Sequence, residues 1–558
     1  MNKNLRVVLI VMLILAIGLG YILFADEIFN KGKAGFIKAS SPTVIAYTVE
    51  GKTSEITRGE GVIYFDGINK DIDDKKLIKI KYSEEEFYIE KDNITVSLDD
   101  IVSEEIVYVR TPLSIVDVDD SIIGFGDKGD ELNVVGYDEL LKNGEVNNYK
   151  VKVGEAEGYV NGEYVLTSQE ESLLKYMPEV YEEMHLKAED KYGGGNAMTL
   201  DYYPNEKPSF EGNVMPEDCY SLYLTSDYIN PKSVKPFIDF AEDTKINTFV
   251  VDIKDNFVIG YPAKAMKQYS ISAYEVANNS YEEYKEAVKM LKDAGFYVVG
   301  RITVFKDDLY AMEHPENCIA DIDTGDPIKY QGSYWPSPFS REVWEYNVAL
   351  AKESVLEIGY NEINFDYCRF PSRISNIEST LDMHNTYDED KVQAIQRFLL
   401  YAKDAMHKIN SYISVDVFGE TSNGTYTTSY GQYWPAMSNV VDVISGMPYP
   451  DHFGAGSYGL SKPWNEPYAL IYNWGLSAKE RQKECPTPGK VRTWIQAYNV
   501  LDWVDPYGIN YNADELEAEI RGLYDAGIGD GYITWIGGPY LSKYELQKGA
   551  FLIDYESE

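Results

Sequence analysis

Histidine and cysteine are scarce in this chain, at five and four residues in 558. No two histidines stand at H-x-x-x-H spacing, and Cys219, Cys318, Cys368 and Cys485 lie far apart with no C-x-x-C pair. A zinc hydrolase motif and a cysteine-rich metal site are therefore excluded, and no metal or cofactor is expected. The cysteines read as buried free thiols; one or two disulfides in an exported protein are the alternative, and spacing cannot pair them. There is no G-x-S-x-G elbow, and His452 has no evident metal partner, so esterase and deacetylase chemistry have little basis. No G-x-G-x-x-G follows an apolar run, so nothing marks a dinucleotide-binding sheet. Basic residues are few as well, 51 against 91 acidic ones, for a formal net charge of -40. That excess repels phosphate backbones and anionic membrane surfaces, and nucleic acid is not expected as a partner.

What is present is an ordinary globular composition, 44% hydrophobic, in a chain long enough for two or three domains. Tyrosine is abundant, at 48 residues. Its flat face and polar tip suit sugar stacking, although strand and core packing use it equally well. Lys3 and Arg6 precede an uninterrupted apolar run from Val7 to Ala25. At about 1.5 Å per residue such a helix spans a hydrocarbon core of about 30 Å. Leu23 is too large for a cleavage-determining position before Ala25, so residues 1–25 read as a transmembrane anchor rather than a cleaved signal. The positive-inside rule then puts everything from Asp26 onward outside the cytoplasm.

Residues 26–42 read as a spacer. Short β-branched runs separated by charged turns follow, and they predict a small β domain over 43–100. A second unit spans 104–167. Its strand–glycine–strand order, closing on Gly158-Tyr159-Val160, resembles bacterial SH3-like domains. That resemblance implies either a spacer or a module binding cell-wall peptidoglycan. Residues 168–207 read as a charged helical linker with Leu173, Leu174, Met177, Val180 and Tyr181 on one side, broken by Gly193-Gly194-Gly195.

From 208 to 558 apolar runs alternate strictly with helical segments. The runs are 220–225, 246–254, 296–305, 360–370, 413–418, 441–447, 490–498 and 531–536. The helices between them are 231–245, 280–294, 341–358, 388–409, 432–438, 467–484 and 513–526, with Gly295, Gly359 and Gly527 at helix exits. Eight such units predict a parallel, closed (β/α)8 TIM barrel within an α/β fold class. The active site of such a barrel lies at the strand ends. Those ends carry Asp252 and Lys254, Arg301, Asn364 with Asp366 and Arg369, Asp416 and Glu420, Tyr449 and His452, Trp494 with Gln496, and Trp535.

The fourth run, Y-N-E-I-N-F-D-Y-C-R-F-P at 360–371, is the most informative. Ile363 and Phe365 alternate with Glu362, Asn364 and Asp366, and an unpaired carboxylate in a buried strand costs several kcal/mol. Glycosidic cleavage uses such acids in pairs, one to protonate the leaving oxygen and one to attack the sugar or activate water. Asp366 is the candidate nucleophile or stabiliser, kept ionised by Arg369 if that side chain folds back. Asp416 is its partner, and Glu420 the alternative proton donor. Trp335, Trp434, Trp464, Trp494 and Trp535 are candidate stacking platforms.

The words D-I-K-D, N-E-I-N-F-D-Y-C-R-F-P, S-V-D-V-F-G, M-P-Y-P-D-H-F and W-I-Q-A-Y occur in that order. They resemble a bacterial glycoside hydrolase family whose barrel is related to the α-amylase-like superfamily, over residues ~215–540. The resemblance implies Asp366 and Asp416 as the acids, with Asp252, Arg369, Tyr449, His452 and Gln496 lining the cleft. The expected function is extracellular, membrane-anchored hydrolysis of a cell-surface or environmental polysaccharide. The alternative is a non-catalytic barrel that binds wall carbohydrate.

Overall fold

The computed structural model describes residues 32–72, 75–180, 194–423, 429–538 and 540–555. The expected anchor at 1–25 and residues 181–193 of the charged linker, including Tyr181 and Gly193, lie outside the described residues. No described helix is long and apolar enough to cross a membrane. The chain divides into two compact units, the first ending at Leu174.

The first unit holds two seven-stranded antiparallel sheets. One consists of β1 (Lys33–Ile37), β2 (Thr43–Thr48), β3 (Thr53–Thr57), β4 (Gly61–Ile72), β5 (Lys75–Tyr82), β6 (Glu85–Glu90) and β7 (Ile94–Thr95). The other consists of β8 (Ile106–Val109), β9 (Leu113–Val116), β10 (Ile122–Gly126), β11 (Glu131–Tyr137), β12 (Asn148–Val153), β13 (Ala156–Asn161) and β14 (Val165–Leu166). The strand orders, β3-β2-β6-β5-β4-β1-β7 and β10-β9-β13-β12-β11-β8-β14, are the same topology used twice. A single helical turn, Lys91–Asn93 or Gly162–Tyr164, precedes the last strand of each. β1 falls inside the stretch read as spacer. Its own pattern is weak, and pairing with β4 and β7 recruits it into the sheet and buries Ile37.

The second unit is the barrel. Its strands, numbered one to eight in chain order, are Cys219–Leu224, Thr248–Asp255, Tyr297–Thr303, Glu362–Asp366, Tyr412–Phe418, Val443–Met447, the split strand Lys490–Val491 with Thr493–Gln496, and Gly531–Trp535. All pair in parallel, and the ring closes through strand seven, whose first half pairs with strand six and second half with strand eight. Helices return the chain between strands, among them Pro231–Glu242, Tyr281–Asp293, Arg341–Glu353, Lys391–His407, Pro467–Gln482 and Ala513–Ala526. Gly359 (φ 102°) and Gly527 (φ 78°) end two helical segments in the left-handed conformation that a Cβ disfavours.

Residues expected to be linker belong to this body. Ala197, Leu200 and Tyr202 pack on Val392, Tyr433 and Ala436. Leu173, Leu174, Met177 and Val180 are instead exposed. Within strand four, Phe365 points outward onto Phe398, 5.4 Å away. Burying such an aromatic contributes roughly 1.5–3 kcal/mol. Glu362, the inward residue nearest the strand's start, is fully buried. It receives Arg492 at 2.8 and 3.2 Å and the Tyr297 hydroxyl at 3.1 Å, so its charge is compensated.

Candidate active site

Because strand side chains alternate, strand four sends Glu362, Asn364 and Asp366 to the interior at successive heights, with Asp366 uppermost at the C-terminal end. In parallel pairing, cross-strand partners share a face, so register alone determines what each meets. Asn364 lies opposite Arg301 and Ser414, and Arg301 lies opposite Asp252. Three neighbouring strands thus bring Asp252, Arg301 and Asp366 together.

Arg301 is the hub. Its Nη1 donates to Asp252 Oδ1 at 2.7 Å, and its Nη2 and Nε donate to Asp366 Oδ2 at 2.5 and 3.1 Å. The Tyr223 hydroxyl donates to Asp252 Oδ2 at 2.5 Å. Burial pushes Asp252 up to about 7, against the opposing pull of Arg301. The other oxygen of Asp366 accepts the Tyr367 backbone N–H at 2.6 Å, and Tyr367 sits at φ 50°, a strained conformation for a side chain of that size. Both hydrogen bonds from the Arg301 guanidinium to Asp366 are charge-assisted.

Asp416 meets a different environment. Its Oδ1 accepts from Asn364 Nδ2 and Trp494 Nε1, both at 2.8 Å, while its buried Oδ2 has no partner among the described residues. Burial, with the charge of Asp366 second, raises its pKa well above the ordinary carboxylate range. The two carboxylates therefore stand in different surroundings, one in an ion pair with Arg301 and the other buried with two neutral donors on one oxygen.

Four residues stand elsewhere than expected. Lys254 lies on the outer face, where it donates to Asp307 at 2.6 Å and Asn347 at 3.0 Å under the Arg341–Glu353 helix. A register slip between Asp252 and Lys254 turns it out of the barrel, so it cannot line the mouth. Arg369 does not pair with Asp366, a position Arg301 takes. Its guanidinium instead lies over the rings of Phe418 (4.4 Å), Tyr367 (4.8 Å) and Trp335 (5.1 Å). Gln496 is fully buried and ties two loops, accepting Asp451 N–H at 3.2 Å and donating to the Tyr498 carbonyl at 3.1 Å. Trp494 is buried, too deep to stack on a sugar, and serves Asp416 as a donor.

The remaining candidates stand around this centre. Trp535 is partly exposed, its ring 5.6 Å from the Arg301 guanidinium and 4.8 Å from Tyr223. Tyr449 is buried with its ring 5.1 Å from the half-exposed His452. Burial lowers the His452 pKa, which favours neutral imidazole. Glu420, just past strand five, accepts from the Tyr430 hydroxyl at 2.7 Å. Sequence reasoning missed Tyr223, although its place two residues beyond Ser221 on strand one marks the inward face.

A model of the family described as "putative glycosyl hydrolase domain" matches residues 221–538, from the first barrel strand to just past the eighth. The chain belongs to that family. No curated protein matches the sequence. Among solved structures, a hypothetical protein from Ruminiclostridium thermocellum ATCC 27405 is 28% identical, covering 35% of this chain and 97% of its own, with a TM-score of 0.30. The PgaB (BpsB) glycoside hydrolase domain from Bordetella bronchiseptica is 12% identical over 61% of this chain and 99% of its own, with a TM-score of 0.42. The α-galactosidase TtGalA from Thermus thermophilus is 8% identical over 91% and 94%, with a TM-score of 0.38.

In this glycosyl hydrolase family member, aromatic surface is available away from the expected platforms. Trp335 and Trp434 are core residues, as Trp494 is. Trp464 is partly buried and donates to Asp505 at 3.0 Å. In the loop after strand seven Trp503 is 77% exposed and Tyr507 90% exposed, on the side of the barrel where catalytic loops lie. Among the described residues no group of three His, Cys, Asp or Glu side chains is placed to hold a metal ion.

Proposed function

We propose that the barrel hydrolyses glycosidic bonds in a polysaccharide, with Asp366 as the ionised carboxylate and Asp416 as the proton donor. The observation that carries this reading is the contrast between the two acids. One is clamped by Arg301, and the other is buried with an oxygen that has no donor among the described residues. Asp366 attacks the anomeric carbon or activates a water for it, while Asp416, whose pKa is raised by burial, delivers a proton to the leaving oxygen. Trp503 and Tyr507 suit stacking of further sugar units of a polymer.

The apolar run from Val7 to Ala25 supports membrane attachment with the barrel outside the cytoplasm. The SH3-like pattern of 104–167 supports a wall-facing location.

The test is hydrolysis of a polysaccharide panel by the full chain and by Asp366→Asn and Asp416→Asn. Each variant is expected to lose at least about a hundredfold in kcat, the scale of a missing acid or base. Near wild-type turnover by either variant, with unchanged circular dichroism, sinks the assignment. Retained binding of the polymer with no turnover by the unmodified chain favours a carbohydrate-binding barrel instead.

A further inference from the structure

Two cations flank the candidate catalytic strand end without a carboxylate of their own. Arg369 is 7% exposed, and its one hydrogen bond is from Nη1 to the Phe370 carbonyl at 3.1 Å. It forms no ion pair with any described carboxylate, and its remaining N–H groups have no acceptor among the described residues. Lys306, half-buried in the loop after strand three, sits with Nζ 4.6 Å from the centroid of the Tyr367 ring and 3.4 Å from its hydroxyl. It too has no acidic partner among the described residues. Both cations lie against Tyr367, the residue that follows Asp366.

This arrangement is unexpected in a chain of net charge -40. The other buried arginines of the barrel interior, Arg301 and Arg492, each hold a carboxylate. A buried guanidinium left without one costs several kcal/mol, and the rings of Phe418, Tyr367 and Trp335 offset only part of that. Those rings come from the loops after strands three and four and the end of strand five, so the cation is fixed in place and its free donors are preorganised. A planar donor fork beside a compact ammonium is the pairing that recognises an anionic group with geometric selectivity.

We propose that Arg369 and Lys306 form a subsite for an anionic substituent of the glycan, a uronate carboxylate or a sulfate ester, next to the bond that Asp366 attacks. The inference rests on the glycosidase reading for its location and goes beyond it in naming the substrate class. Substrate would supply the counter-charge that the protein withholds, so binding would weaken with salt and the preference for charged glycans would depend on Lys306.

The experiment compares matched polymers with the full chain: uronate-bearing polysaccharides against their carboxyl-reduced forms, and sulfated glycans against their desulfated forms. Binding, by calorimetry, and hydrolysis, by reducing ends, are read separately. The expected result is at least a tenfold preference for the charged member of one pair at low salt. Which pair shows it identifies the anion. Lys306→Gln, at a half-buried side chain whose loss should not threaten folding, brings that ratio severalfold closer to one, and Arg369→Gln does so further if it folds. Charged-glycan binding without hydrolysis supports the subsite while removing the enzyme reading. No preference for the charged member of any pair, or a preference that Lys306→Gln leaves intact, overturns the subsite even if a neutral glycan is hydrolysed.

Discussion

Arg301 donates two hydrogen bonds, at 2.5 and 3.1 Å, to a single oxygen of Asp366 on the adjoining strand. The same guanidinium holds Asp252 at 2.7 Å, so one cation spaces two acids that would otherwise repel. Removing it leaves both without an ion-pair partner among the described residues.

Arg301→Gln is therefore expected to reduce kcat by about a hundredfold to a thousandfold, the scale of losing one preorganised electrostatic partner. Arg301→Lys keeps the charge but not the fork and should fall in between. Steady-state kinetics on a cleaved substrate, with thermal unfolding as a control for folding, checks this. Equal activity of all three proteins would mean that Arg301 has no part in the site.

Asp416 must be protonated to act as an acid, and burial with the charge of Asp366 raises its pKa. Activity should thus be present below that raised value and lost as pH rises through it, placing the alkaline limb of the rate profile above the ordinary carboxylate range. Trp494→Phe removes an N–H that favours the ionised form, so the limb should move to still higher pH. A limb that stays put or moves down contradicts Asp416 as the donor.

Asp252 is raised from 3.8 to about 7, chiefly by burial. Between those values the folded chain binds a proton that the unfolded chain has released, so stability contributed by this group is full below the lower value and falls as pH rises toward the upper. Urea unfolding of the full chain from pH 4.5 to 7.5 should show a shallower decline for Asp252→Asn than for the unmodified protein.

In the first unit, Arg58 is buried, with Nη1 2.5 Å from Glu104 and Nε 2.5 Å from the Gly144 carbonyl. The Tyr149 hydroxyl also reaches Glu104, at 3.0 Å. This cluster ties the first sheet to the second. Arg58→Met leaves the buried Glu104 without its cation and is expected to cost about 3–5 kcal/mol. Calorimetry of the full chain should show the loss, while turnover by the barrel, whose candidate residues all lie beyond Leu174, should persist at temperatures where it remains folded.

Much of this was readable in advance because it depends on period. The alternation in 360–371 places Glu362, Asn364 and Asp366 on one face wherever the strand is buried, and eight strand–helix repeats leave few topologies open. Lys254 and Arg369 were misjudged for reasons that period cannot express. A register slip rotates Lys254 outward, and Arg369, expected to fold back onto Asp366, lies instead over the rings of Trp335, Tyr367 and Phe418. The duplicated strand order of the first unit was equally hidden, since β1 has little pattern of its own and is recruited by its partners.

By itself, the sequence determined the order of strands and helices, the barrel they close into and, where no bulge intervenes, the side chains that face its interior, because backbone geometry makes these consequences of local spacing. Only the tertiary structure decided that Arg301 rather than Arg369 holds Asp366, and that Asp416 is buried beside Trp494. Those outcomes depend on which residues of different strands reach the same height, and on how much water is excluded there, neither of which any single segment encodes.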